Sequence, residues 1–156
     1  MIFTRTYRCS SKLPVADIKS RLAGKHFQVH NLDFEVSEKE GMLRIIPHAE
    51  NEKEIKTLPI THVEFSGNGS NSQLKISSKI RKIDSGGPRL IVIFCAFILI
   101  AAVLFLLFGR GEYTSYSYFL FGLCAIIFIP FWLRMEKGYF DYVRKIRDYI
   151  KKQCSA

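Results

Sequence analysis

Two long apolar segments near the middle of the chain constrain its fold more than any other feature. The first, Leu90 to Phe108, has 19 positions and no charged residue, and the second, from about Tyr116 to Leu133, is also uncharged. At a rise of about 1.5 Å per residue, each segment as a helix approaches the roughly 30 Å hydrocarbon thickness of a bilayer. Only Gly109 to Ser115 connects them. The sequence therefore predicts a two-helix transmembrane hairpin over residues 89–134, with spans at about 90–108 and 116–133.

The distribution of positive charge predicts the orientation of this hairpin. Lysine and arginine residues that flank a span stay on the cytoplasmic side, and the connecting loop holds only Arg110, beside Glu112. Residues 1–88 have 14 Lys plus Arg against 10 Asp plus Glu, and residues 89–156 have 9 against 4, so both sides contribute to the net charge of +9. Residues 1–11 lack the apolar core of a signal peptide. We expect a multi-pass protein of the cell (inner) membrane with both termini in the cytoplasm.

Basic residues on both sides of the hairpin are candidates for contact with anionic lipid headgroups. A lysine or arginine near an anionic membrane surface contributes about 1 kcal/mol of binding free energy. For the lysines on the strand that precedes the hairpin, the alternative is that they form a solvated strand face. The predicted membrane-surface residues are Lys75, Lys79, Arg81, Lys82, Arg144, Lys145, Lys151 and Lys152.

The first 88 residues have the pattern of a small α+β head domain. Polar and apolar side chains alternate over Ile2–Cys9 as in a strand, and a short helical pattern follows Pro14 and stops at Gly24. From His26 onward the period returns to two. Because consecutive strands joined by short turns pair antiparallel, we expect an antiparallel sheet covered by one helix. The predicted order is β-α-β-β-β-β, with strands at 2–9, 26–36, 42–46, 58–65 and 74–81.

Three local features interrupt or end the strand pattern of the head. The apolar parity slips near His30 and Asn31, which indicates a bulge or a turn. Pro47 is expected to end its strand or to mark an edge strand. Residues 85–88, Ser-Gly-Gly-Pro, are expected to form a short linker into the membrane.

Residue types that carry chemistry are present, but their spacing predicts no site. No pair of cysteines has metal-ligand spacing, and a cytosolic head keeps its thiols reduced. His26 and His30 would share a face only on an uninterrupted strand, whereas a zinc site needs three or four ligands. We expect no metal, no cofactor and no enzymatic activity. The four cysteines are Cys9, Cys95, Cys124 and Cys154, and the alternative to an unmodified thiol is lipidation of Cys154 beside a basic helix.

Aromatic and small residues in the hairpin predict interfacial anchors and helix contacts. Aromatic side chains at the ends of a span favour the membrane–water interface, and small side chains allow two helices to approach closely or to self-associate. The predicted anchors are Tyr113, Tyr116, Tyr118 and Trp132, and the predicted packing residues are Ala101, Ala102, Gly122 and Ala125. The spans offer few polar side chains that could line a pore, namely Cys95, Ser117 and Cys124.

Residues 135–156 are predicted to form a basic amphipathic juxtamembrane helix. Apolar and tyrosine side chains recur at three- and four-residue spacing from Tyr139 to Ile150, and lysines and arginines occupy much of the remaining surface. Three arrangements are open: the helix lies in the cytoplasmic headgroups, packs its apolar stripe on the head, or pairs with a copy of itself. A role in nucleic-acid binding is not expected, because the basic residues are few and the bilayer is a nearer anionic partner.

These features together predict an α+β membrane protein with a cytoplasmic head at 1–88, a transmembrane hairpin at 89–134 and a C-terminal amphipathic helix at 135–156. The expected function is a non-enzymatic, membrane-anchored binding or accessory module whose head recognises a protein or a lipid headgroup. Its expected partners are the bilayer, anionic headgroups, and a protein or a second copy of the chain. The alternative is an oligomeric membrane-perturbing or pore-forming effector with the head as sensor.

Overall fold

The computed structural model describes residues 3–30, 32–48, 58–66, 72–80, 86–109, 111 and 113–155. The chain divides into two compact units. We call Met1–Arg81 together with Lys137–Ala156 the head, and Lys82–Glu136 the hairpin. The residues that follow the hairpin therefore belong to the head, although the sequence predicted them as a separate juxtamembrane region.

The described part of the head has an antiparallel sheet of six strands and two α-helices, which agrees with the predicted α+β class. The elements before the hairpin are β1 (Arg5–Ser11), α1 (Val15–Leu22), β2 (His26–Val29), β3 (Leu32–Lys39), β4 (Met42–His48), β5 (Pro59–Ser66) and β6 (Ser72–Ile80). The sheet is curled, and its strand order is β1-β6-β5-β4-β3-β2. The charged connection predicted at 50–56 lies outside the described residues, as do residues 67–71 of the turn predicted at 67–72, whose last residue, Ser72, begins β6.

The parity slip near His30 is a turn that separates two strands. Val29 pairs with Leu32 across it, and His30 adopts a φ of +55°. The single strand predicted at 26–36 is therefore a hairpin of β2 and β3. A second tight turn follows at Glu40 and Gly41, where φ is +55° and +76°, as the two central positions of a type I′ turn require.

Pro47 neither ends its strand nor lies on an edge strand. It is buried opposite Phe34, and β4 continues to His48. The pairing of β4 with β5, however, covers only Leu43 to Ile45. Proline is tolerated here because the β5 side of the strand is already unpaired at this position.

The core of the head lies on the inner face of the curled sheet, under α1 and a C-terminal helix, α4 (Asp141–Ser155). From α1, Ile18 and Leu22 are fully buried, as their helical spacing predicts. From α4, Ile146 and Ile150 are fully buried in the same cluster as the inward residues of the strands. Of the three arrangements open to the C-terminal helix, the structure has the one in which its apolar stripe packs on the head.

The hairpin has two long helices, α2 (Gly86–Phe108) and α3 (Thr114–Met135). The predicted linker residues Gly86 to Pro88 form the first turn of α2, where proline is compatible with a helix. A π-helical segment, Glu136–Phe140, follows α3. Both long helices have the length and composition to cross a membrane, with mean hydropathies of 3.4 and 1.9 over their most apolar windows.

Two polar side chains of α3 face backbone carbonyls of α2. The hydroxyl of Ser117 donates to the carbonyl of Ala102 at 2.9 Å, and the Sγ of Cys124 lies 3.7 Å from the carbonyl of Cys95. The side chains of Ser117, Cys95 and Cys124 are all buried between the helices. Most of the large apolar side chains of both helices remain exposed.

Candidate functional site

Buried hydrogen bonds hold the first part of the returning chain to the sheet. The hydroxyl of Tyr139, which is fully buried, donates to the carbonyl of Phe3 at 2.6 Å and lies 3.1 Å from the carbonyl of Ser78. Burial raises the pKa of this hydroxyl, so it stays protonated as a donor. The chain thus leaves and re-enters the head at the same end. We call this the junction end and define it by Phe3, Tyr139 and residues 78–80.

The opposite end of α4 is also tied to the sheet. The hydroxyl of Ser11 donates to the carbonyl of Cys154 at 2.7 Å and accepts a hydrogen bond from the amide of Leu13 at 3.1 Å. The hydroxyl of Ser72, at the start of β6, donates to the carbonyl of Leu13 at 2.6 Å. We call this the far end. The nine residues of β6, from Ser72 at the far end to Ile80 at the junction end, span roughly 27 Å at 3.4 Å per step.

A polar cluster lies where α4 begins. Asp141 Oδ2 is 2.8 Å from His30 Nε2 and 3.5 Å from Lys145 Nζ, and Lys145 Nζ is also 2.7 Å from His30 Nε2. The hydrogen bond from His30, followed by the contribution of Lys145, lowers the pKa of Asp141. An acidic residue in the first turn complements the helix dipole, so this cluster stabilises the start of α4 on the β2–β3 turn.

The outer face of the sheet carries the basic surface that best fits a binding role. Cross-strand pairing places Arg44 opposite His62 and Lys75 opposite Glu64. Lys75 Nζ and Glu64 Oε2 are 2.8 Å apart. We call Arg44, His62, Lys75 and Lys79 the outer basic surface, and Glu64 is the acidic residue beside it.

The side chains of the outer basic surface shift each other's pKa values. Partial burial, then Arg44 and Lys79, lower the pKa of His62, so this imidazole is neutral at pH 7. The hydrogen bond from Lys75, followed by its charge, lowers the pKa of Glu64, which stays ionised. Arg44 Nε is buried and has no hydrogen-bond partner among the described residues.

The six predicted membrane-surface residues that the structure describes lie at different places on the head. Lys79 lies near the junction end. Lys75 lies four residues before it in β6 and is ion-paired with Glu64. Arg144 and Lys145 approach Asp141 at 3.6 and 3.5 Å. Lys151 and Lys152 lie at the far end of the head, in the last turns of α4. Arg81 and Lys82 lie outside the described residues.

The predicted anchors and packing residues of the hairpin have different environments. Tyr113, Tyr116 and Tyr118 are exposed near the start of α3, and the Trp132 ring stacks on Phe128 with a centroid distance of 5.8 Å. Tyr116 and Trp132 are separated by 16 residues, or about 24 Å along a helix.

Of the predicted packing residues, Ala102 is fully buried against α3 and Ala101 is half-buried. Gly122 and Ala125 are exposed, and a Cβ on Gly122 would meet nothing within 4 Å. Neither residue is buried in the contact between α2 and α3.

The histidines and cysteines do not assemble a metal site in the described part of the chain. No group of three or more potential ligands occurs there. His26 is the first residue of β2 and His30 lies in the β2–β3 turn, and their rings contact different carboxylates, those of Asp33 and Asp141. Cys154 is buried, and this burial raises the pKa of its thiol to about 11. Lipidation, the alternative for Cys154, would require the end of α4 to leave the head.

Sequence reasoning missed the residues that join the two halves of the head. Tyr139 appeared only as one position of an amphipathic stripe, and Ser11 was outside the strand predicted at Ile2–Cys9. Arg44 was also missed, although its alternation with Leu43 and Ile45 places it on the outer face. Only the spatial pairing of β4 with β5 brings it to His62.

Comparisons with known proteins assign no family. No family model matches the chain, and no curated protein matches it. The solution structure of the Aha1 dimer from Colwellia psychrerythraea is similar over 69% of this chain and 98% of that chain, with 10% sequence identity and a TM-score of 0.40. A likeness at this level carries no argument about function.

Proposed function

We propose that this protein is a non-enzymatic binding module, anchored in the cell inner membrane, whose head recognises a protein or a lipid headgroup at the membrane surface. The observation that carries the proposal is that the apolar hairpin interrupts the sequence of the head without interrupting its core. The head closes through Tyr139, Ile146 and Ile150 after the chain returns. The hairpin is thus an insertion whose own outward surface is apolar.

The exposed side chains of the hairpin support insertion into a bilayer. Only 17% and 11% of the most apolar windows of its two helices are buried. The core helix of a soluble protein would be mostly buried, and these helices lie in the middle of the sequence rather than at a signal-peptide position. Hydrocarbon is the solvent in which such surface is stable.

The closed head supports an orientation with both termini on one side. Residues before and after the hairpin share one hydrophobic core, so they fold together only in the same compartment. An even number of spans between them satisfies this condition. The basic residues flanking the hairpin then favour the cytoplasm for the head. This argument from packing is independent of the argument from charge.

The polar atoms of the hairpin favour the binding module over the pore. Ser117, Cys95 and Cys124 were the candidates for a pore lining, and all three are buried between α2 and α3. The Ser117 hydroxyl and the Cys124 thiol both point to carbonyls of α2. A water-filled pore needs polar groups on an outward face of the hairpin.

Recognition is proposed to take place on the outer basic surface. Lys79 is exposed on this surface, and Arg44 and Lys75 are partly exposed beside it. An anionic headgroup or an acidic protein segment supplies the acceptors that this surface lacks.

The test is recovery of partners from membranes after mild detergent extraction, with protein and lipid identified in the same sample. Replacing Lys75 and Lys79 by glutamate is expected to reduce the bound partner about tenfold or more, because each charged contact is worth roughly 1 kcal/mol. The matched control replaces Lys25 and Lys39, which are also exposed. Equal loss in both variants would contradict recognition by the outer surface.

Reconstitution of the same preparation into dye-filled liposomes separates the two function classes. The binding module leaves the liposomes tight. Dye release by the unmodified protein would instead support the pore-forming effector.

A further inference from the structure

A cavity of about 770 Å³ lies at the far end of the head, between the end of β1 and the last turns of α4. Its volume is within the range of about 300–1,000 Å³ that small-molecule sites occupy. Residues from both halves of the head line it, so it exists only when α4 is packed. Among its lining residues are Arg8, Ser10, Lys12, Lys151 and Lys152.

The charge of this cavity is strongly one-sided. Four of its described lining residues are basic and none is acidic. Arg8, Lys12 and Lys151 are exposed, and no carboxylate of a described residue lies within 4 Å of their charged atoms. This contrasts with Lys19, Lys75 and Lys145, each of which has a carboxylate partner.

The position of Arg8 in the sheet increases this imbalance. Arg8 pairs directly opposite Lys75 on the outer face, and like charges at opposed positions destabilise a sheet. Glu64 neutralises Lys75 from the next strand, at 2.8 Å, whereas Arg8 is on the edge strand β1, which has no further strand beside it among the described residues. A second cavity, of about 520 Å³, is lined by Arg8, Ser10, Gln73 and Lys75. An anion beside Arg8 would relieve the repulsion between Arg8 and Lys75.

Complementing the dipole of α4 does not account for the whole cluster. Lysines in a last turn interact favourably with the carbonyls of the helix end, which covers Lys151 and Lys152. The carbonyl of Cys154, however, already accepts a hydrogen bond from Ser11. Arg8 belongs to β1 and Lys12 to the segment after it, so neither is placed by the helix.

We propose that this far-end cavity binds a compact polyphosphate anion from the aqueous phase. Guanidinium and ammonium groups are the donors that phosphate oxygens favour, and the residues of β1 and α4 that line this cavity include both types. No aromatic ring is among the described lining residues, so a nucleobase has no stacking partner there. The ligand is therefore recognised through its charges and its small size.

The choice of a dissolved anion over a headgroup of the host bilayer rests on the proposed function. The hairpin joins the head at the junction end, and Lys151 is ten residues, or about 15 Å, along α4 from Asp141. The cavity is thus at the opposite end of α4 from the residues where the chain re-enters the head, and we commit to a dissolved anion as its occupant. The cavity itself does not depend on this choice.

The experiment measures tripolyphosphate binding by titration calorimetry with the full-length protein in an uncharged detergent. Saturable binding is expected, with an affinity that falls as salt rises. Replacing Arg8 and Lys151 by glutamine is expected to weaken it at least about tenfold, because two charge-assisted contacts are lost. The matched control, Lys25→Gln with Lys39→Gln, removes two exposed charges elsewhere on the head and is expected to change the affinity less than about twofold.

Several results would overturn the site. One is the absence of saturable binding, and another is an equal loss of affinity in both double variants. A third is displacement of tripolyphosphate by an acidic peptide, such as polyglutamate, that binds more tightly than tripolyphosphate; this result would assign the surface to a protein.

A second arm repeats the titration in nanodiscs with and without phosphatidylinositol 4,5-bisphosphate. Equal affinity is expected, whereas competition by the lipid would reject the dissolved anion. Incorporation into nanodiscs is read separately by size, so a failure of anchoring is distinguishable from a failure of the cavity.

Discussion

Tyr139 shows how one side chain joins the two halves of the head. Its hydroxyl reaches carbonyls from the segment before β1 and from β6, which are 136 and 61 residues away in sequence. Both carbonyls lie in a buried region, where an acceptor without a donor costs free energy. The side chain therefore fixes where the returning chain meets the sheet.

Tyr139→Phe is expected to lower the free energy of unfolding by about 0.5–1.5 kcal/mol, because it removes the donor of a buried hydrogen bond. The measurement is chemical denaturation in mild detergent, followed by circular dichroism. Tyr149→Phe is the control: the Tyr149 ring stacks on Phe27 at 4.0 Å, and its hydroxyl has no hydrogen bond among the described residues.

The pH dependence of this difference follows from the pKa of Tyr139. Burial raises that pKa above its ordinary value of 10.0 in the folded state. The hydrogen bonds therefore contribute fully below pH 10, and their contribution falls as pH rises further, because the unfolded state then releases the proton first. The gap between the unmodified protein and Tyr139→Phe should narrow above pH 10. A gap that is constant with pH, or no gap at pH 7, would contradict the assigned role.

The turn of the hairpin depends on Gly109 for a steric reason. The amide of Gly109 bonds to the carbonyl of Phe105, and a Cβ at this position would lie 2.3 Å from that oxygen and 3.0 Å from the Cβ of Tyr113. The backbone at the end of α2 is thus too close to accept a side chain.

Gly109→Ala is expected to destabilise the hairpin by about 1–3 kcal/mol through this overpacking. Gly122→Ala is the matched control, because its Cβ meets nothing and alanine favours a helix by about 0.5–1 kcal/mol. Thermal unfolding of both variants in the same detergent compares them. A more stable Gly109→Ala, or equal effects of both substitutions, would contradict the described turn.

Local patterns predicted the elements well because their causes are local. The alternation of Leu74, Ile76, Ser78 and Ile80 with lysines corresponds to the inner and outer faces of β6. The spacing of Ile18 and Leu22 corresponds to the buried side of α1. At His30, the pattern left a bulge and a turn open, since both shift the parity by the same amount.

Long-range pairing was not predictable in the same way. Nothing local in β1 distinguishes β6 from β2 as its neighbour, and 67 residues separate Arg5 from Ser72. The stripe of α4 fits a headgroup layer and a sheet equally, because both accept apolar and tyrosine side chains. Lys75 and Lys79 were found as candidates from their alternation. Arg44 and Arg8 gained a role only through their cross-strand neighbours.

The molecule as a whole is a head divided by an apolar hairpin. The segments on both sides of the hairpin contribute to one core, so the head cannot be complete until the last residues have been made and have reached the first ones. This arrangement links the membrane topology of the hairpin to the folding of the head. The proposed anchoring, the shared compartment of both segments and the far-end cavity all depend on it.

Cysteine accessibility mapping in intact cells tests this account most directly. Single cysteines replace the exposed residues Lys25, Ser115 and Lys151 in a Cys9→Ser background, and each is treated with a membrane-impermeant maleimide. The account predicts labelling of Ser115→Cys in intact cells. Lys25→Cys and Lys151→Cys should react only after the membrane is permeabilised, and both should do so together. Labelling of either head position in intact cells, or protection of Ser115→Cys, would contradict a two-span anchor with a closed cytoplasmic head.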